Sequence, residues 1–482
     1  MAEKSLKKNA VLNIIKTLMG IIFPIITFPY ASRILLPEGI GKVNFANSII
    51  GYFSLLASLG IGTYATREAA KIRDDKLLLK KFVKEILFIN FISTLISYIL
   101  FFMVLFFVPK LFDYRKLLLI CSLTILFNTL GINWFYSAIE EYSYITTRTI
   151  FFQIINIFFL FIFVKTKEDI YLYALMNVIA SVGSSLLNFI HLHKFLSFKG
   201  KDKLEIKKHI KPIFVLFGMA VVTSIYTLLD TTMIGFLAGD EQVGFYTAAT
   251  KINKMVLLVV TSCSTVLFPR LSYYIEKKDK EEFLKLLQKG FSITLCLAIP
   301  CTIGLNLLSS QITIIFSGEN YTPAIPVMKI MNPIIIIIAI SNYIGIQCLI
   351  PLNKEKFTLY SVILGAICNF TLNLILIPKY KALGAGIATV CAETAVSLFQ
   401  IIVSRKELSL RFLLKDIYQF IIAAIAMGLS VFAICNIISS IYIQVILSIT
   451  TGILIYFFML LILKNNIIKD LINFILHKKK EL

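Results

Sequence analysis

Apolar runs recur along the whole chain, each near the ~20 residues that a helix needs to cross a ~30 Å hydrocarbon core. A span-sized window finds them at about 10–30, 44–66, 86–108, 117–137, 149–164, 170–190, 212–237, 246–269, 290–310, 325–349, 358–377, 383–404, 416–437 and 442–463. The pattern predicts an all-α integral membrane protein with about 14 transmembrane helices. The first run follows MAEKSLKKN and continues without a small-residue cleavage site, so it reads as a span and not as a secretory signal.

Several runs are interrupted by polar residues at helical spacing. Asn9, Asn13, Lys16, Thr17 and Gly20 share one face of the first span, and Asn44, Asn47, Ser48, Gly51, Ser54 and Ser58 one face of the second. Thr223, Thr227, Asp230 and Thr231 mark the seventh, and Thr247, Thr250, Lys251 and Lys254 the eighth. The twelfth carries a thinner stripe of Thr389, Glu393, Ser397 and Gln400. Such faces cannot look at lipid, and four of these five helices are the first two of each half. A shared central cavity lined by them is the expectation.

The halves show in a repeat. Glu38-Gly-Ile-Gly41 with Ala46 and Ile49 recurs 203 residues on as Glu241-Gln-Val-Gly244 with Ala249 and Ile252. Both copies fall between the first and second spans of a six-span set. The expected organisation is an N-lobe at 1–190, a basic linker at 191–211, a C-lobe at 212–404 in parallel repeat, and two further helices with a basic tail at 405–482. Transporters commonly place their site where such lobes meet.

Composition agrees with the spans: 58% hydrophobic residues, 16% charged and a mean hydropathy of +0.85 lie far from the soluble norm of about 25% charged. With the N-terminus inside, 35 of the 48 Lys and Arg fall in cytoplasmic segments, 9 in external loops and 4 within spans. This puts both termini in the cytoplasm, and the membrane is expected to be the cytoplasmic one. It also explains the net charge of +21, because basic residues scattered over many short loops make no nucleic-acid face. The eight cysteines lie in apolar runs without a CxxC pair and read as small buried hydrophobes. The four histidines fall in basic polar stretches between or after the spans. No metal site, catalytic group or cofactor is expected.

Ionisable residues inside spans cost about 2.5–3.5 kcal/mol each on insertion scales and usually serve function. Here they are Lys16, Asp230, Lys251, Lys254, Lys329 and Glu393, with Arg33 and Lys42 near the outer mouth. The excess of cations suits an anionic cargo, since a desolvated phosphate or diphosphate needs cationic donors in place of water. Lys251, Lys254, Lys16, Arg33, Lys42 and Asn47 are therefore the candidate substrate-binding residues. Asp230 and Glu393 are the candidate gating or coupling groups. Asp230 is expected to hold Lys251 or Lys254 in the empty state or else to bind a proton or Na⁺ from a coupling gradient.

Arg33-Ile-Leu-Leu-Pro-Glu-Gly-Ile-Gly41, Trp134-Phe-Tyr-Ser-Ala-Ile-Glu140, Asp230 with Ile234-Gly235, Val243-Gly-Phe-Tyr-Thr-Ala-Ala-Thr-Lys251-Ile, and Phe268-Pro-Arg-Leu-Ser272 resemble recurrent motifs of one family. It is that of the Wzx-type polysaccharide flippases, in the multidrug/oligosaccharidyl-lipid/polysaccharide (MOP) exporter superfamily. The resemblance covers essentially the whole chain, with one departure: where the family often reads Trp-x-x-Gln-Gly-x-Glu, this chain has Ser137 and Ala138. It implies alternating-access movement of undecaprenyl-diphosphate-linked oligosaccharide to the outer leaflet, with cations facing the diphosphate. In related lipid II flippases an arginine of span 8 lies near the position of Lys251, and the last two spans form a lateral groove for the lipid tail. Membrane lipids, glycosyltransferases and a polysaccharide polymerase are the implied partners.

Two other readings compete. A multidrug or cation antiporter of the same superfamily would be expected to have twelve spans and an acidic cavity. A membrane-embedded polymerase or acyltransferase would need an external loop or an intramembrane His/Asp pair for its chemistry, and neither is visible.

Overall fold

The first helix, Leu6–Ser58, is 53 residues long, which as a straight rod would measure about 80 Å at 1.5 Å per residue. It breaks at Leu36, which takes φ 61° and ψ 173°. The following Pro37 disfavours a helical conformation at Leu36, so the helix becomes two legs of one span each. Glu355–Ser404, 50 residues, breaks in the same way at Lys381 with φ 53°. The computed structural model describes residues 6–196, 203–265, 267–405, 407–408 and 416–469, and among them every element is helical. Among the described residues twelve helices are long and apolar enough to cross a membrane. Two of these are the broken pairs, each of which divides into two legs near two of the expected spans.

Apolar side chains such as Leu95, Phe106, Leu429 and Leu454 are more than half exposed on the helix surfaces, while Ser93, Ser97, Asn90 and Asn369 are buried. This inversion of the soluble pattern is what a lipid surround demands. Between helices, hydroxyls replace the hydrophobic drive that is absent in lipid. Ser93 Oγ donates to the Ala57 carbonyl and Ser97 Oγ to the Phe53 carbonyl, each at 2.6 Å, drawing the Lys76–Phe107 helix against the second leg of the first.

Two compact units emerge, Met1–Gly244 and Phe245–Leu482. The sequence reading put the division at 191–211, of which residues 197–202 lie outside the described part. In the structure the Lys207–Leu237 helix packs on the first helix and belongs to the first unit. Polar composition marked the segment at 191–211 as a linker, but the packing of the helix that follows it decides where the unit ends.

The repeat has local structural counterparts at both of its copies. Leu36 and Gly239, again 203 residues apart, both take positive φ, 61° and 93°. The amphipathic helices Ile61–Lys71 and Phe268–Glu276 each precede a long helix begun by an aspartate cap. Asp75 accepts from the N–H groups of Leu77 and Leu78, and Asp279 from that of Glu282. Within the first unit the repeat glycines meet. A Cβ on Gly41 would overlap the Asp240 carbonyl oxygen, and one on Gly244 would overlap the Pro37 carbonyl oxygen.

Candidate functional site

In the first unit the candidate residues occupy the first helix and the Lys207–Leu237 helix that packs on it. Thr232 Oγ1 donates to Ser48 Oγ at 3.0 Å, and Asp230, one half-turn earlier, is 6% exposed. Asn47 and Arg33 are exposed, and Arg33 Nη1 donates to the Pro29 carbonyl at 2.6 Å. Lys42 is half-buried and bonded to Glu38 at 2.5 Å. Its charge is thereby matched by an acid one turn away, so this end of the unit is less basic than a count of cations suggested. Lys16 lies in the first helix, with its side chain outside the described part.

In the second unit the Asp240–Thr265 helix carries half-buried Lys251 and exposed Lys254, with Thr250 Oγ1 turned back onto the Tyr246 carbonyl at 2.9 Å. Tyr246 Oη and Thr389 Oγ1 share a 3.2 Å hydrogen bond that ties this helix to Glu355–Ser404. Lys251 follows Tyr246 by five residues and half-buried Glu393 follows Thr389 by four, so both sit within about a turn and a half of that bond. A cavity of about 480 Å³ opens among the helices Lys280–Leu307, Ile417–Ile437 and Ile441–Ile462. Its walls include Leu297, Pro300, Gly304, Met427, Gly452 and Phe457. It is apolar almost throughout, a lining that fits an aliphatic chain and offers little to a sugar.

Two polar clusters escaped the sequence reading. His209, taken as a loop residue, is 3% exposed: Tyr64 Oη meets its Nδ1 at 2.7 Å and Glu85 Oε2 its Nε2 at 2.8 Å. Glu85, wholly buried, also accepts from the main-chain N–H of Glu205 at 2.7 Å. Arg148, counted as a loop cation, is 6% exposed and donates to the side chains of Asn188 and Asn133. It lies over the rings of Tyr136 and Tyr144. The cysteine reading also needs amending: Cys121, Cys296 and Cys348 are buried, whereas Cys391 is exposed.

A family model described as "Polysaccharide biosynthesis protein" matches residues 6–275, more than half of the chain. The chain belongs to that family. A second model, MatE, matches residues 215–375. The "Putative O-antigen transporter" of Escherichia coli (strain K12) is 23% identical over 401 residues, 82% of this chain and 96% of that protein. The "Probable flippase AglR" of Haloferax volcanii is 26% identical over half of each chain. Among solved structures, the lipid II flippase MurJ in an inward closed conformation superposes with a TM-score of 0.77 at 19% identity, covering 96% of this chain and 99% of that one. The fold is thus that of the MOP superfamily, and the relatives are membrane transporters and flippases, not enzymes.

Proposed function

We propose that the protein is an alternating-access flippase that moves polyprenyl-diphosphate-linked oligosaccharide repeat units across the cytoplasmic membrane for cell-envelope polysaccharide synthesis. The observation that carries this reading is family membership over residues 6–275 together with a transporter relative spanning 82% of the chain and a flippase relative spanning half of it. Lys251 and Lys254, with Lys16, Arg33, Lys42 and Asn47, meet the diphosphate and its first sugars. An ammonium group half-buried in a span stabilises a desolvated anion far better than one in water. Asp230 and Glu393 exchange their partners between empty and loaded states, or take up H⁺ or Na⁺, and so bias the transport cycle. The apolar cavity beside the last two described helices holds the polyprenyl tail. Both termini lie in the cytoplasm, in keeping with the 35 to 9 division of Lys and Arg. Glycosyltransferases supply the cargo and a polymerase consumes it.

The test is export of the host polymer by Lys251→Ala and Lys251→Arg proteins at matched membrane abundance. The alanine variant is expected to export none and the arginine variant a part, because charge is retained while its geometry changes. Normal export by Lys251→Ala would overturn the assignment. The MatE match at 215–375 favours a second reading, drug or cation export. It predicts raised resistance to cationic compounds on overexpression, with polymer export unchanged by deletion.

A further inference from the structure

A second cavity, about 360 Å³, lies wholly within the first unit and has a different chemistry. It falls in the ~300–1,000 Å³ range of small-molecule sites. Ser54 and Ser58 of the first helix, Asn90 of the Lys76–Phe107 helix, Asn128, Asn133 and Trp134 supply its characteristic groups, and no charged side chain lines it. Asn90 is 7% exposed, and its Oδ1 is buried without a hydrogen-bond partner. Asn90 nonetheless contributes to the cavity wall. Asn133 is held from behind. Arg148 Nη2 and Asn188 Nδ2 both donate to its Oδ1, which turns its own amide N–H groups into donors for whatever sits in front. Phe82 and Phe135 meet the Trp134 ring edge to face. Gly62, Asn133 and Trp134 also line an open recess with Thr63, Thr66 and Arg67.

Neutral hydroxyl and amide groups facing both donors and acceptors, beside an indole, match the chemistry of a pyranose ring. Such a ring presents hydroxyls around its edge and apolar C–H groups on its faces. We infer that this cavity is a glycosyl subsite, in which Asn90, Asn128 and Asn133 read the hydroxyl or acetamido pattern of an uncharged sugar and Trp134 packs against its face. Arg148 is a positioning residue that acts through Asn133. The inference rests on the flippase reading for the source of the sugar. It deepens that reading by giving the sugar a neutral cavity of its own, distinct from the cations that meet the diphosphate and from the apolar cavity that holds the tail.

Trp134 is the chain's single tryptophan, so indole emission of the purified protein in detergent micelles, excited where tyrosine does not absorb, reports from the wall that this cavity shares with the open recess. Three probes are compared: the lipid-linked glycan pool extracted from the source organism's membranes, the oligosaccharide released from that pool by mild acid, and undecaprenyl diphosphate without sugar. The expected result is a saturable emission change with the first two and none with the third. Asn128→Ala, at an exposed position, should raise the midpoint for released oligosaccharide on the order of tenfold. If radiolabelled intact pool binds but released oligosaccharide leaves Trp134 unchanged, or if Asn128→Ala responds like the wild type, the subsite is refuted while the flippase reading stands. If neither the intact pool nor the released glycan binds, the flippase reading itself fails.

Discussion

Replacing Glu85 tests how the end of the first unit near helix Ile61–Lys71 is held together. Its carboxylate, fully buried, accepts from the Glu205 main-chain N–H at 2.7 Å and from His209 Nε2 at 2.8 Å, while His209 Nδ1 meets Tyr64 Oη at 2.7 Å. One side chain therefore ties together the Lys76–Phe107 helix, the start of Lys207–Leu237 and the amphipathic helix. Glu85→Ala leaves the buried His209 ring without its acceptor and also takes the acceptor from the part-buried Glu205 N–H and from the Lys208 ammonium 3.3 Å away; removing one partner of such a buried contact costs about 3–5 kcal/mol. Glu85→Gln keeps an oxygen for residue 205. It can turn its amide toward His209 if the imidazole changes tautomer, losing only the charge-assisted part, about 1–2 kcal/mol. At 1.4 kcal/mol per decade, local opening should become easier by about 10²–10³·⁵ for alanine and about 5–30-fold for glutamine. Hydrogen exchange at residues 203–209 and 61–71 reads this directly, because protection there follows the free energy of local opening. Equal acceleration by the two variants, or none by either, would refute the reasoning.

Other consequences are as specific. Gly41→Ala or Gly244→Ala forces a methyl group into a main-chain carbonyl, which cannot yield as a side chain would. Each should lower stability in detergent by at least about 1–3 kcal/mol, the usual cost of overpacking, whereas Gly62→Ala, with nothing within 4 Å, should leave the unfolding midpoint unchanged. The Lys354 ammonium, bonded to Glu407 at 2.8 Å, holds that carboxyl below its ordinary value of 4.5. The pair's contribution, under about 1 kcal/mol, is complete above the ordinary value and lost as the pH falls through the lowered one. Lys354→Ala should therefore move the acid loosening of residues 350–354 to higher pH, as measured by hydrogen exchange. Single cysteines at positions 5, 205 and 478 should be labelled by a membrane-impermeant thiol reagent only after the cells are opened; labelling in intact cells would reverse the proposed orientation.

The spans were legible because hydrophobic length is a bulk property that local packing does not alter. Even the break at Leu36 had a sign in the Pro-Glu-Gly that follows it. What stayed hidden was position within a turn. Arg148 and His209 lie one or three residues outside the apolar windows drawn for their spans, so both counted as loop cations, yet the helices continue through them and bury them. The Asn90, Ser93, Thr94, Ser97 stripe follows the same i, i+3, i+4, i+7 rule that exposed the other polar faces. Its neighbours are so apolar that the run still averages a mean hydropathy of 2.2. Neutral polar groups weigh little in a hydropathy window, although they draw helices together and line the cavity beside Trp134.

The tight turn at Leu36–Pro37 bears on how the chain enters the bilayer at all. In the proposed orientation, with the amino terminus cytoplasmic, only the break at Leu36–Pro37 separates the first leg from the second. The insertion machinery has to accept the pair as a hairpin and carry its tip across in a single event. That tip holds Arg33, Glu38 and Lys42. The 2.5 Å contact between Lys42 and Glu38 pairs two of those three charges, which lowers the net charge that the tip has to carry across.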